Sequence, residues 1–148
     1  MYKRILIAID GSDLAGRALR HGLEVAKLAG SEVAIVTVSE PPTMAASGFA
    51  GMAGGFDLTP EIMEAQVEGA RKALREATEV AAAAGITAKP VLVENRFAGE
   101  GIIEAAQDFG ADLIVMGSHG RSGLGRLLLG SQTSNVLAHS KIPVLVTR

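Results

Sequence analysis

The chain has no cysteine and no tryptophan, and a single tyrosine at position 2. Without cysteine there is no disulfide framework, no thiolate zinc site and no cysteine nucleophile, and a reducing compartment is permitted. Aromatic residues make up 3% of the sequence, which removes most means of stacking on a flavin or on nucleobases. Basic blocks are missing too: 14 Lys and Arg stand against 16 Asp and Glu, for a net charge of −2. Nothing here could track a nucleic-acid backbone, so no nucleic-acid partner is expected. No apolar stretch approaches the ~20 residues of a membrane span, and Ile5–Ile9 is too short for a signal-peptide core. The expectation is an unprocessed cytoplasmic protein with no membrane partner.

What is present is an alternation of short β-branched runs with longer helical patterns, the signature of βαβ units and a parallel sheet. At 148 residues the chain is expected to form one domain over residues 1–148, burying roughly 70% of its unfolded surface. Five strands are predicted: Arg4–Ile9, Glu32–Ser39, Thr87–Glu94, Asp112–Gly117 and Ile142–Thr147. Between the first two, Ser12 is a predicted N-cap, with Leu14, Ala18, Gly22, Val25, Ala26 and Ala29 at helical spacing before Gly30. After Pro41-Pro42 the composition turns Gly/Ala/Met-rich without periodicity, predicting a mobile loop over about 41–58. Thr59-Pro60 then opens a long helix with Ile62, Gly69, Ala70, Ala73, Leu74, Ala77, Val80 and Ala81 on its apolar face, ended by Gly85. Shorter helices are predicted over Gly99–Phe109 and Ser131–His139.

Lys89 and Pro90 are awkward in a central strand and place the third strand at an edge. The first and fourth strands are the most continuously apolar and belong in the middle. With right-handed crossovers this predicts the order 3-2-1-4-5, an open five-stranded parallel α/β sheet with helices on both faces. Winding reverses between the first and fourth strands, and ligands bind at such a switch point, beyond the carboxyl ends of the strands. Asp10 and the glycine loop beginning at Gly117 are therefore expected to face one crevice.

That loop reads Gly117-Ser118-His119-Gly120, nine intervening residues, then Gly130-Ser131. Glycines at a strand end let backbone approach a ligand, and a helix opening at Gly130-Ser131 directs N–H groups and a dipole at an anion. Ordinary turn and capping chemistry is the plainer reading of the same residues. It is not a Walker A loop, since Arg126 stands after Gly125 where Lys is required. Nor is it a dinucleotide fingerprint, which belongs after the first strand.

Three blocks carry a wider resemblance: Lys3–Ser12, Ala111–Gly120, and Gly130-Ser131 through Pro143–Val146. In order and spacing they resemble the universal stress protein family, whose ATP-binding branch has G-x2-G-x9-G-[S/T] after its fourth strand. The resemblance implies an adenine nucleotide alpha hydrolase-like, Rossmann-like fold and a bound ATP, ADP or AMP, with Mg²⁺ held through the phosphates. Its nucleotide contacts map onto Ala8, Ile9, Asp10, Val38, Met116, Gly117, Gly120, Gly130, Ser131, Gln132 and Thr133.

The residue chemistry suits those roles. Asp10 can accept from a ribose hydroxyl or a metal-bound water, while Val38 and Met116 offer apolar surface to a base. Gly130, Ser131 and Thr133 offer N–H and hydroxyl donors to phosphate oxygens, and Arg121 and Arg126 can pair with the outer phosphates. Each has a structural alternative: Asp10 as a turn residue, Val38 and Met116 as core, the arginines as solvated. His119 reads as a polar turn residue before a phosphate donor, and His21 and His139 as structural.

A response-regulator receiver would need an acidic phosphoacceptor where Asn95-Arg96 stands, and a flavodoxin would need flavin-stacking aromatics. An adenylating enzyme would need a fuller glycine run than Asp10-Gly11-Ser12-Asp13. The expected function is a nucleotide-dependent stress-response or signalling protein, with a nucleotide-independent dimer as the alternative. No general base accompanies the loop, so hydrolysis is expected to be weak at most. The short apolar strand 143–147 is an edge that invites pairing across a two-fold axis, predicting a homodimer.

Overall fold

The computed structural model of the chain describes residues 1–41, 59–119 and 129–148, apart from the side chain of Leu14. Gly120, Arg121, Arg126 and, save for Pro41, the expected loop over 41–58 lie outside the described residues. The elements run β1 (Arg4–Ala8), α1 (Asp13–Ala29), β2 (Glu32–Ser39), α2 (Pro60–Ala83), β3 (Ala88–Glu94), α3 (Ala98–Phe109), β4 (Leu113–Gly117), α4 (Ser131–His139) and β5 (Val144–Thr147). The sheet order is β3-β2-β1-β4-β5, with every neighbouring pair parallel. This is the expected order. Lys89 and Pro90 are exposed on edge strand β3, opposite Ala34 and Ile35 of β2, where a missing donor is tolerated.

Successive residues of a strand face opposite ways, and β1 uses both faces. Ile5, Ile7 and Ile9 pack with Ala18, Leu19 and Leu23 of α1 and with Leu74, Ala77 and Ala81 of α2. Leu6 and Ala8 pack on the other face with Ile102, Ala105 and Ala106 of α3 and Val136 of α4. The helix following β1 and the helix following β4 thus leave on opposite sides of the sheet. The crevice between them is the switch point.

Helix α1 starts where expected: Ser12 Oγ accepts the N–H of Ala15 at 3.2 Å. Gly22 sets how closely α1 approaches the sheet, since a Cβ there would lie 2.7 Å from Ile7 Cδ1 and 3.4 Å from Val115 Cγ1. Helix α2 is capped by Thr59, whose Oγ1 accepts from Ile62 N–H at 3.4 Å. Its buried stripe is narrower than the pattern predicted. Ala70, Leu74, Ala77 and Ala81 are buried, whereas Ile62, Gly69 and Val80 are exposed. At 3.6 residues per turn those three fall on one flank, about a quarter-turn from the stripe.

Strand β4 begins one residue later than predicted. Asp112 lies before it and accepts from the N–H groups of Lys3 at 2.8 Å and Arg4 at 3.0 Å, pinning the start of β1 to the start of β4. Desolvation opposes its charge, but those two N–H groups, its own N–H and the N-terminal charge hold its carboxyl below the usual aspartate range.

Candidate functional site

A cavity of about 330 Å³ opens at the carboxyl ends of β1, β2 and β4, within the ~300–1,000 Å³ typical of small-molecule sites. Ala8, Ile9, Asp10, Val38, Met116, Gly117, Gly130, Ser131, Gln132 and Thr133 all line it. The structure thus brings together every anticipated residue that it describes. Gly120 and Arg121 lie outside the described residues.

Ala8, Ile9, Val36, Val38, Met116 and Ile102 give one part of the cavity an apolar lining. Asp10 serves two ends at once. It lines the cavity, and its Oδ1 accepts the Ser12 N–H at 2.9 Å around Gly11, whose φ of 80° suits glycine. Asp10 is thus a turn residue that also lines the cavity.

The start of α4 also lines the cavity. Gly130 is its N-cap, no side chain caps it and no acidic residue stands in its first turn. The first intrahelical bond runs from Ser134 N–H to Gly130 O, so the N–H groups of Ser131, Gln132 and Thr133 precede the ladder. Two of the groups expected to donate to phosphate have protein partners. Gly130 N–H donates to Ser118 O at 2.8 Å, and Thr133 Oγ1 donates to Gly117 O at 2.9 Å. Gly130 has φ −59° and ψ 152°, open to any residue, so its contribution is a missing side chain and not an unusual backbone.

The described lining residues include the acids Asp10 and Glu40 but no Lys or Arg. Among the described residues, positive potential at the start of α4 comes from the helix dipole and backbone N–H groups. His119 also lines the cavity; its Nδ1 lies 3.0 Å from Ser118 Oγ, while Nε2 is buried with no hydrogen-bond partner among the described residues. A buried orphan of this kind, beside an uncapped helix start and an apolar wall, fits a ligand with an anionic and an apolar end. Among the described residues no group of three or more His, Asp or Glu could hold a metal ion by itself.

Several lining residues were not among those anticipated from the sequence. Thr37, Ser39 and Glu40 come from the end of β2, Gln66 and Ala70 from α2, and Ala98 and Ile102 from α3. The β2 residues were accessible through the strand-end rule; those on the helices belong to no local motif.

The model of the universal stress protein family matches residues 1–148. The chain belongs to this family. Among universal stress proteins, MJ0531 of Methanocaldococcus jannaschii is 35% identical, the match covering 100% of this chain and 83% of the relative. The solved structure of MJ0577, from the same organism, is 32% identical with a TM-score of 0.81, covering 99% of this chain and 96% of the other. A universal stress protein from Archaeoglobus fulgidus, solved in complex with dAMP, is 25% identical with a TM-score of 0.68, covering 99% and 98%. Among the described residues no helix is long and apolar enough to cross a membrane.

Proposed function

We propose that this universal stress protein is a single cytoplasmic nucleotide-binding domain that holds ATP, ADP or AMP in the cavity between β1 and β4. The observation that carries the reading is the start of α4: a nine-residue helix with no side-chain cap and no acid in its first turn, lining a cavity that also has apolar residues in its lining. The N–H groups of Ser131, Gln132 and Thr133 would take the phosphates. Val38 and Met116 would cover the base, and Asp10 would accept from the ribose. The A. fulgidus relative in complex with dAMP supports adenine as the base. Mg²⁺, where present, would be held by phosphate oxygens with Asp10 in reach, since the protein offers no larger metal-ligating group among its described residues.

Nucleotide occupancy is proposed as a conformational signal and not as a catalytic turnover. Glu40, one of the two carboxylates among the described lining residues, caps the Ala98 N–H with its Oε1 at 3.1 Å, an arrangement suited to structure and not to activating water. A two-fold homodimer through residues 143–147 completes the proposal: β5 is a sheet edge, and Leu137 and Leu145 expose apolar surface beside it. Calorimetric titration with ATP, ADP and AMP, with and without Mg²⁺, tests the ligand. Saturable binding of one nucleotide per chain is expected; no binding at millimolar nucleotide would leave a nucleotide-independent dimer as the function.

A further inference from the structure

Helix α3 starts without a cap of its own. Phe97 occupies the N-cap position and makes no side-chain cap bond, so the leading N–H groups of the helix turn to residues from elsewhere. Ala98 N–H donates to Glu40 Oε1 at 3.1 Å, and Gly99 N–H donates to Gln132 Oε1 at 2.8 Å. Gln132 is in the first turn of α4, so one side chain joins the N-termini of two helices across 33 residues of sequence. The helix starts are in close contact there, for a Cβ on Gly99 would lie 2.5 Å from Asn135 Oδ1.

The bond to Gly99 decides which way round the Gln132 amide sits. A backbone N–H needs an acceptor, so the side-chain oxygen belongs at Gly99 and the NH₂ group, with two donors, is left for another partner. Gln132 lines the cavity, between Ser131 and Thr133 at the anion-facing helix start. We propose that Gln132 is a specificity-determining residue of this site: its NH₂ group donates to the nucleotide phosphate while its carbonyl ties α3 to α4. This rests on the nucleotide reading above. It adds a side-chain donor, held in orientation by a second helix, to the backbone N–H groups. It also makes the phosphate grip depend on where α3 sits.

Glutamate is the informative replacement, because its carboxylate still accepts from Gly99 N–H but sets an anion where the donor stood. The experiment titrates wild type, Gln132→Glu and Gln132→Met with adenosine and with AMP by calorimetry, and follows urea unfolding of each. In Gln132→Glu the ratio of the AMP Kd to the adenosine Kd is expected to rise about tenfold or more, as a donor is exchanged for a repulsion. Gln132→Met, which loses the donor without adding charge, should raise the ratio less and lower the urea midpoint as the tie to α3 is lost. An unchanged ratio in both variants, or equal weakening of adenosine and AMP, overturns the proposal and leaves Gln132 as a helix tie only. Should Gln132→Glu fail to fold, the ratio in Gln132→Met decides alone. Wild-type protein that binds neither ligand overturns the nucleotide reading itself, and this proposal with it. Wild-type AMP binding with unchanged ratios in the variants overturns only the role of Gln132.

Discussion

The hydroxyl of Thr133 donates to the carbonyl oxygen of Gly117 at 2.9 Å, joining the first turn of α4 to the last residue of β4 across 16 residues. Thr133 is 2% exposed and Gly117 partly buried, so the bond is largely shielded from water. Ser118 N–H, next along the chain, donates to Thr147 O of β5 at 2.8 Å, and Ser118 O receives Gly130 N–H. The end of β4, the start of α4 and β5 are thus fastened as one wall of the cavity. Thr133→Val keeps the shape and removes the donor, and is expected to cost about 1–2 kcal/mol in urea unfolding. Thr133→Ser should recover most of that loss, separating the hydrogen bond from the packing.

The contact between Gly22 and Ile7 gives a second expectation. Ile7 is fully buried, and a Cβ at Gly22 would lie 2.7 Å from its Cδ1 and 2.9 Å from its Cγ1, so the side chain or the helix must shift to admit it. Gly22→Ala would ordinarily favour a helix; here overpacking is expected to win, with a net destabilisation of about 1–3 kcal/mol. The urea midpoint of the variant checks the sign. A stabilised Gly22→Ala would mean that α1 can lift from the sheet without penalty.

Asp112 predicts a pH dependence. Its folded value is depressed below that of an unfolded aspartate, about 3.9. A depressed carboxyl adds stability that is fully present above the unfolded value and is lost as pH falls through the folded one. The difference in Tm between wild type and Asp112→Asn should therefore be constant near neutral pH and shrink in acid below about pH 4. Thermal unfolding across that range measures it. A difference that grows in acid would contradict the assignment.

The central order of the sheet was legible because two strands announce their places. Ile5–Ile9 is apolar on both faces, as a central strand must be, and Lys89-Pro90 suits only an edge. The face of α2 was less legible, because Ile62 and Val80 are apolar in type yet lie on a flank the sheet does not reach. At the site, the placing of Asp10 and Gly117 in one crevice followed from topology, while Ala8, Ile9, Val38 and Met116 followed from the family resemblance. Gln66 and Ile102 did not, since each comes from a helix whose sequence carries no mark of a ligand. Nor can a sequence tell which donors are already committed: Gly130 N–H and the Thr133 hydroxyl look available until Ser118 O and Gly117 O are placed beside them.

The exposed edge makes its own prediction. Leu145 lies on β5 and Leu137 on neighbouring α4, both more exposed than core leucines such as Leu6 and Leu19. Sedimentation velocity at tens of micromolar should find a dimer, and Leu145→Arg should shift it to monomer while leaving far-UV circular dichroism unchanged. A wild-type monomer at that concentration would remove the edge-pairing proposal.

The most direct test of the account is an amide NMR titration with AMP, which locates the ligand as well as detecting it. Saturable shifts are expected at Ser131, Gln132 and Thr133 together with Val38 and Met116, and none at Lys3, Arg4 and Asp112 at the opposite end of the strands. No shift at Ser131–Thr133 under saturating AMP, or shifts centred on Lys3 and Asp112, would contradict it.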